Sequence, residues 1–205
     1  MARDGETSAT MMLLVRHGQS TWNAEGRWQG HANPPLSALG RAQAKAATTT
    51  VPAVDVVVTS KLDRAHETGR LIAEATGVPV IVEEELHERD IGAWTGLTRD
   101  EIEAGWPGGI ENGHRPQGWE SDAHVAARGM DALRRIAKAQ SGKRVLVITH
   151  GGLIRAIERE LEIDSPYLAN LGGLWVEVLG DEIAVRDRVE LIDHTAVAAT
   201  VPESE

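Results

Sequence analysis

The sequence has no cysteine among its 205 residues, which excludes disulfide bonds, thiolate metal ligands and a cysteine nucleophile. It also has no phenylalanine and one tyrosine, so six tryptophans supply nearly all of the aromatic bulk. No apolar run approaches the roughly 18 residues that a membrane-spanning helix requires. The polar start, "MARDGETSAT", lacks the apolar centre of a secretory signal. We therefore expect a cytoplasmic protein with no membrane partner.

Positive charge is scarce: 21 lysines and arginines against 31 aspartates and glutamates give a formal net charge of −10. Proteins that bind nucleic acid non-specifically neutralise its phosphates with a basic face, so this balance argues against a nucleic-acid partner. A small anionic ligand, in contrast, responds to the charges that line its pocket. The positions of the few cations are therefore the informative feature.

Buried β-branched runs alternate along the chain with helical segments, a pattern typical of a parallel sheet covered by helices on both faces. We predict an α/β fold, a three-layer α/β/α sandwich with a mostly parallel central sheet. One domain spans 11–194, between flexible tails at 1–10 and 195–205. The predicted strands are 11–15, 54–60, 78–84 and 144–150, followed by two edge-like strands at 174–179 and 182–191. The predicted helices are 37–49, 61–77, a short one near 98–104, 121–142 and 151–163.

Polar, reactive side chains stand where the predicted strands end. Arg16 and His17 follow the first strand, His150 follows a later one, and Arg64 lies in the helix after the second strand. Ligands of such sheets bind outside the carboxyl ends of the strands. Gly151 lets the backbone approach a ligand closely and opens a helix, whose free N–H groups favour an anion. These residues together predict a phosphate site.

A series of segments, in the same order along the chain, resembles the histidine phosphatase superfamily in its phosphoglycerate-mutase-like branch. The match runs from about residue 12 to 155 and consists of "LVRHGQSTWNAEGRWQG", "PLSALGRAQA", "TSKLDRAHET", "LHERDIGAWTG" and "VLVITHGG". Because several separate blocks agree, the resemblance is much more specific than a single "RHG" would be.

The resemblance implies a role for each matching residue. His17 is the expected nucleophile, which becomes a phosphohistidine. Glu88 is expected to protonate the leaving oxygen and then to deprotonate the attacking water. Three residues are expected to hold the phosphoryl oxygens and stabilise the developing charge: Arg16, Arg64 and His150. Three further positions match residues that contact phosphate or substrate in the family: Asn23, Gln29 and Gly30.

These residue types suit the chemistry. Phosphoryl transfer depends on positioning and on stabilisation of negative charge, and a neutral imidazole is a good nucleophile at neutral pH. Arginines remain charged at any relevant pH, so they can replace a metal ion. Six other histidines, at 31, 66, 87, 114, 124 and 194, do not provide the H-E-x-x-H spacing of zinc proteases. We expect neither a metal nor another cofactor.

Within the superfamily, the segment after the acid distinguishes phosphatases from mutases. Similar mutases carry a tyrosine three residues after the acid, followed by a long basic insertion. This chain has Ile91 at that position, and its segment 89–118 has no lysine and no adjacent arginines. "RPQGWES" at 115–121 resembles the connection found in phosphatases. We therefore expect a metal-independent phosphomonoesterase that acts on a small phosphorylated metabolite, such as a sugar phosphate or a phosphoglycerate derivative.

Two alternatives remain: a 2,3-bisphosphoglycerate-dependent phosphoglycerate mutase, and a phospho-ligand-binding protein without catalysis. Asn33 departs from the aspartate often found before "PLS" in the family, which puts the loop contact of that carboxylate in question. Trp106 and Trp119 fit a packing role and a substrate-lining role equally well. The apolar edges of the two C-terminal strands are compatible with a homodimer.

Overall fold

The computed structural model describes residues 8–164, 166–194 and 196–197. The tails predicted at 1–10 and 195–205 lie mostly outside this part of the chain. Thr10 is an exception, because it is buried and already belongs to the first strand. Within the described ranges, no helix is long and apolar enough to cross a membrane.

All of the predicted strands and helices are present, with ends that differ from the prediction by a few residues. The strands are β1 (Thr10–Arg16), β2 (Val56–Thr59), β3 (Val80–Val82), β4 (Arg144–Thr149), β5 (Gly172–Leu179) and β6 (Glu182–Glu190). The helices are α1 (Thr21–Glu25), α2 (Ala38–Ala47), α3 (Asp63–Thr76), α4 (Arg99–Gly105), α5 (Asp122–Ala139) and α6 (Gly151–Glu160). Short 3₁₀ turns lie at Glu84–Leu86 and Gly92–Trp94. Helix α1 was not predicted.

The strands form a single six-stranded sheet in the order β3-β2-β4-β1-β5-β6. The first four strands in this order are parallel to one another, β5 pairs antiparallel with β1, and β6 pairs antiparallel with β5. The prediction of a mostly parallel sheet is confirmed. The prediction that β5 is edge-like was wrong, because β5 pairs with β1 on one side and β6 on the other, so the free edges are β3 and β6.

Helices cover both faces of the sheet and bury two separate apolar clusters. Because successive side chains of a strand point to opposite faces, Met12 of β1 joins a cluster with the apolar side chains of α5 and α6. Leu13, its neighbour in sequence, joins a second cluster with Ala47 of α2 and Ile72 of α3. The three-layer prediction is therefore confirmed, and the sheet between the layers carries the strand ends of the site.

A third apolar cluster lies outside the sandwich and is here called the tryptophan cap. Its buried members are Trp28, Ile91, Trp94 and Ile102, and its partly buried members are Leu97, Trp106, Ile110 and Trp119. Edge-on ring contacts join several of these indoles, including Trp28 with Trp94 at 5.5 Å between centroids. The cap is built mainly from the segment that follows Glu88, and it forms one wall of the site described below.

Candidate active site

The two predicted site histidines meet where β1 and β4 end side by side. Arg16 is paired with Thr149 in the parallel register, and the His17 amide donates a hydrogen bond to the Thr149 carbonyl at 3.0 Å. The next residues, His17 and His150, are 2% and 0% exposed, and their ring centroids lie 5.1 Å apart. Parallel pairing of neighbouring strands thus brings together two residues that are more than 130 positions apart in sequence.

The hydrogen bonds of His17 define which ring nitrogen carries its proton. Nδ1 lies 2.6 Å from the Gly18 carbonyl, which can only accept, so Nδ1 is the protonated nitrogen. Nε2 accepts a hydrogen bond from Arg64 Nε at 3.2 Å and therefore holds the lone pair. Burial, followed by the charges of Arg64 and Arg16, lowers the pKa of His17 well below 6.5. The imidazole is consequently neutral at neutral pH, with its nucleophilic nitrogen facing a guanidinium.

Arg64 is fully buried and lies in the first turn of α3, so it is not the solvent-exposed helix arginine that its sequence neighbours alone would suggest. Besides His17, its guanidinium donates to the carbonyls of Ala32 at 2.7 Å and Gly30 at 3.0 Å. These bonds fix the plane of the guanidinium beside the His17 ring.

Arg16 approaches the same strand ends from β1. Its Nη1 donates to the Leu168 carbonyl at 2.8 Å, and its side chain is buried against the start of α6. A Cβ built on Gly151 would lie 3.5 Å from Arg16 Cδ, an ordinary contact distance. The two arginines therefore reach the site from different elements, as the phosphate-site prediction requires.

His150 is held from the end of β2. Its Nε2 lies 2.9 Å from the hydroxyl oxygen of Ser60, the residue that follows Thr59 at the close of that strand. Burial is the main cause of a pKa well below 6.5, and the charge of Arg64 adds to it. Ser60 is fully buried, so the hydroxyl fixes the orientation of this ring. The ends of β1, β2 and β4 meet here, as predicted.

Glu88 reaches the start of α6, where backbone N–H groups hold its carboxylate. Oε1 accepts from the amide of Arg89 at 2.7 Å, and Oε2 accepts from the amide of Gly152 at 3.2 Å. A Cβ on Gly152 would lie only 2.4 Å from Oε1, so glycine is what permits this approach. The N-terminus of α6 was predicted to favour an anionic ligand, and in the structure its Gly152 amide is hydrogen-bonded to the Glu88 carboxyl group.

The arrangement matches a known family over most of the chain. Residues 12–170 match the Histidine phosphatase superfamily (branch 1). The chain belongs to this superfamily.

Individual relatives of this histidine phosphatase have different named activities. It is 40% identical over 171 residues to the 2,3-bisphosphoglycerate-dependent phosphoglycerate mutase 2 of Gloeobacter violaceus, covering 76% of this chain and 77% of that one. It is 37% identical over 206 residues to the metal-independent phosphoserine phosphatase of Arabidopsis thaliana, covering 92% and 82%. A mycobacterial glucosyl-3-phosphoglycerate phosphatase solved with VO3 superimposes with a TM-score of 0.72 at 30% identity, covering 87% of this chain and 96% of that one.

Three of the residues that were predicted to contact substrate lie between β1 and α2. Asn23 Oδ1 accepts from the Ser20 amide at 3.0 Å, and Gln29 Oε1 accepts from the Ser20 hydroxyl at 2.6 Å. Gly30 adopts a left-handed backbone conformation, with φ of +48°, and presents its carbonyl to Arg64. The substrate-binding roles of Asn23, Gln29, Gly30 and Gly151 stay predictions.

A cavity of about 480 Å³, its open mouth included, lies between Glu88 and the tryptophan cap. Gly30, Glu88 and Gly152 line it, together with Trp28 and Trp119 of the cap. The sequence is compatible with either a packing role or a substrate-lining role for Trp119. In the structure its side chain packs in the cap and also lines the cavity. Four arginines also line the cavity, and none was predicted as a site residue: Arg89, Arg115, Arg155 and Arg159.

One of these arginine pairs has a sequence signal that could have revealed it. Arg155 and Arg159 follow Gly151 at successive steps of four, so they share one face of α6 with the start of that helix. Arg159 and Arg89 both pair with Asp122, at 3.1 and 2.5 Å. Arg115 instead lies over the Trp119 ring, with its guanidinium carbon 4.6 Å from the ring centroid. In the described residues, no three histidines or carboxylates cluster as metal ligands.

Proposed function

We propose that this protein is a metal-independent phosphomonoesterase that works through a phosphohistidine on His17. The observation that carries the proposal is the neutral, Nδ1-protonated imidazole whose Nε2 lone pair faces Arg64 at the strand ends. A neutral nitrogen nucleophile beside two buried cations suits attack on an anionic phosphoryl group. The relatives named as phosphatases support the same reaction class.

The first step forms the phosphoenzyme. Nε2 of His17 attacks phosphorus, the bond to the leaving oxygen breaks, and Glu88 supplies the proton that this oxygen needs. As Nε2 of His17 attacks, the hydrogen bond that Arg64 Nε donates to it must switch to a phosphoryl oxygen. The guanidinium that orients the free imidazole therefore also stabilises the charge that develops during attack. Arg16 and His150 contact the other phosphoryl oxygens.

The second step releases phosphate. Glu88, now ionised, removes a proton from a water molecule, the water oxygen bonds to phosphorus, and the nitrogen–phosphorus bond breaks. The electron pair returns to Nε2, which restores the neutral imidazole with its proton still on Nδ1. The amides of Arg89 and Gly152 hold the Glu88 carboxyl group in both steps.

The substrate class we propose is a phosphate monoester whose alcohol part carries a carboxylate, as in a phosphoglycerate derivative. The cavity next to Glu88, where the leaving group would lie, is lined by four arginines and two carboxylates, those of Glu88 and Asp122. This local excess of positive charge contrasts with a whole-chain charge of −10. Phosphoserine and glucosyl-3-phosphoglycerate, named for two of the relatives, both carry such a carboxylate.

The reaction is tested by hydrolysis of p-nitrophenyl phosphate with EDTA present, comparing the wild type with His17→Ala. We expect turnover in the wild type and none in the variant, and a phosphorylated wild-type protein after an alkaline quench, which preserves the acid-labile nitrogen–phosphorus bond. If neither protein hydrolyses the ester but the wild type interconverts phosphoglycerates with 2,3-bisphosphoglycerate, the protein is a mutase. If it binds phosphate and shows neither activity, it is a binding protein.

The substrate class is tested with two matched esters, 3-phosphoglycerate and glycerol 3-phosphate, which differ by a carboxylate in place of a hydroxymethyl group. We expect a higher kcat/KM for 3-phosphoglycerate, and we expect Arg115→Gln to remove that preference. Arg70→Gln is the control, because Arg70 is exposed and pairs with Glu74 on α3. Equal kcat/KM for the two esters in the wild type would contradict the proposal that the substrate carries a carboxylate.

We also propose that the protein is cytoplasmic and forms a homodimer. The free edge of β3 supports the dimer. Ile81 and Val82 on this short strand are 42% and 47% exposed, an unusual exposure for β-branched side chains. At the opposite edge, β6 exposes charged side chains instead. Light scattering after gel filtration measures the mass, and Ile81→Lys is expected to convert a dimer into a monomer.

A further inference from the structure

Arg128 of α5 binds the loop that carries Glu88 at three points. Its Nη1 donates to the carbonyls of Glu85 at 2.7 Å and His87 at 2.8 Å, and its Nη2 donates to the carbonyl of Glu88 at 3.1 Å. Arg128 is 8% exposed, so these bonds lie out of solvent. One guanidinium thus spans the backbone just before and at the residue assigned as the acid.

Glu120 holds the other side of the same guanidinium. Its Oε1 lies 2.8 Å from Arg128 Nε, and its Oε2 lies 3.1 Å from Arg128 Nη2 and also accepts from the Asp90 amide at 3.1 Å. Burial raises the pKa of Glu120, but the hydrogen bond and charge of Arg128 outweigh this effect and leave it lowered. The ionised pair therefore ties the backbone on both sides of Glu88 to the first half of α5.

The position of Glu88 depends on such external contacts because its loop has little regular structure of its own. A 3₁₀ turn ends at Leu86, and the next begins at Gly92, so the intervening backbone has no helix or strand ladder to fix it. Two histidines add donors to the Glu88 carbonyl: His31 Nε2 at 2.8 Å and His87 Nδ1 at 2.9 Å. Arg128 is the member of this set that carries a permanent charge and spans several residues of the loop.

We propose that Arg128, held by Glu120, is a positioning residue that sets the Glu88 carboxyl group at the leaving oxygen. This inference rests on the proposed function, because it needs Glu88 to act as the acid. Arg128 itself touches neither the phosphoryl group nor the leaving group. Its effect on the reaction passes through the backbone of residues 85–88.

The distinguishing readout is the dependence of the rate on the leaving group. p-Nitrophenolate is weakly basic and departs without a proton, whereas an alkoxide departs only when an acid protonates it. The ratio kcat/KM reports only the steps up to phosphoenzyme formation, so it isolates the acid role of Glu88 from its later role as base. A variant with a displaced acid therefore loses kcat/KM on an alkyl phosphate and keeps it on p-nitrophenyl phosphate.

The experiment compares Arg128→Gln, Arg128→Lys and Glu88→Gln on 3-phosphoglycerate and p-nitrophenyl phosphate, with the melting temperature of each variant recorded. We expect Arg128→Gln to lower kcat/KM for 3-phosphoglycerate by about 100-fold, the low end of a general-acid contribution, and to change that for the aryl ester only slightly. Lysine restores the charge but not the three carbonyl contacts, so we expect an intermediate loss. The control is Arg134→Gln on the same helix, whose partly exposed side chain pairs with Asp131.

Three outcomes overturn the proposal. The first is an equal loss on both esters in Arg128→Gln, which indicates general destabilisation, and the second is no loss on either. The third is wild-type inactivity on both esters, which removes the proposed function as well. If Glu88→Gln shows the selective loss and Arg128→Gln does not, the proposed function stands and only the positioning role fails. Should Arg128→Gln not fold, Glu120→Gln, which removes one charge of the pair, is measured by the same ratio.

Discussion

Among single residues, the proposed nucleophile His17 is kept uncharged at neutral pH by its surroundings. His17 and His150 are both buried, and burial is the largest cause that lowers the pKa of each. Nearby guanidinium groups add to the effect, because a positive charge disfavours protonation of a neighbouring imidazole. In the proposed reaction, the same cations that contact the phosphoryl group also keep His17 neutral and available for attack.

This state has a consequence for stability against pH. An unfolded histidine binds its proton near pH 6.5, whereas these two bind theirs only well below it. Below pH 6.5 the unfolded chain therefore holds more protons, so the free energy of unfolding falls as the pH falls. Each histidine contributes a slope of up to about 1.4 kcal/mol per pH unit. Urea unfolding between pH 7.5 and 5 measures this slope, and the double variant His17→Gln/His150→Gln should show a shallower one. Identical slopes would contradict the prediction.

Gly152 shows how a missing side chain can serve the acid. A Cβ at this position would overlap Glu88 Oε1, the end of a movable side chain, so Gly152→Ala is expected to displace the carboxylate while the fold remains. We expect a melting temperature near that of the wild type. Relative to the wild type, kcat/KM should fall more for alkyl phosphates than for aryl phosphates. Gly151→Ala adds a methyl group at ordinary contact distance from Arg16 and should cost less. Similar losses in the two alanine variants would count against this account.

The positions of the candidate site residues were largely predictable, whereas those of the residues that support them were not. His17, Arg64 and His150 follow strands or open helices, so the parallel-sheet argument brings them to one rim. Arg128 carries no comparable sequence signal, because its role depends on contacts with a loop some 40 positions away. Side-chain partners at that separation follow from packing, which a single sequence does not specify.

At the scale of secondary-structure elements, helix α3 owes its start to a residue from another segment. Its N-cap position is Leu62, which has no side-chain acceptor. Asn33 Oδ1 takes that place and accepts from the Asp63 amide at 2.8 Å. The departure from aspartate at this position therefore preserves a loop-fixing contact, and α3 carries Arg64 in its first turn.

Removing this acceptor should weaken the helix start. We expect Asn33→Ala to lower the free energy of unfolding by about 1 kcal/mol, the usual cost of a lost N-cap. Asn33→Asp keeps the acceptor and places a negative charge at the helix N-terminus, so it should be at least as stable as the wild type. Urea unfolding of the three proteins measures the difference. An alanine variant as stable as the wild type would rule out the capping role.

The prediction of elements succeeded where periodicity or capping is strong. Ser37 caps α2, and Gly77 ends α3 in the left-handed conformation that glycine favours. Helix α1 was missed because five residues are too few to show a period. The position of β5 was misjudged because hydrophobic pattern identifies a strand but does not say which strands flank it.

Across the whole molecule, the two walls of the cavity belong to units of very different size. The sandwich buries two large apolar clusters, and among the described residues the tryptophan cap buries four side chains. Stability is rarely uniform in such a case, since small clusters open locally more readily than the main core. His17 and His150 follow strands of the larger unit, whereas much of the cavity wall belongs to the smaller.

Hydrogen exchange followed by mass spectrometry tests this difference. We expect the amides of β1 and β4 to exchange only through global unfolding, and those of the cap, such as Trp94 and Leu97, through local opening at a lower free energy. Orthovanadate, as a phosphate mimic bound between the two units, should slow exchange in the cap. Cap and strand amides that exchange at one common free energy would show a single cooperative unit instead.

Segment 93–116 of the tryptophan cap begins and ends at neighbouring points of the fold, and its middle pairs with Arg27 and Trp28. Ile91 forms an isolated antiparallel bridge with Trp119, and a Cβ on Gly92 would lie 2.1 Å from the Gln117 carbonyl. The chain between these two points, 93–116, therefore leaves and re-enters the fold at nearly one place. Recombination at these two ends would therefore exchange the segment without altering the strands that precede His17 and His150, as long as the replacement pairs with Arg27 and Trp28.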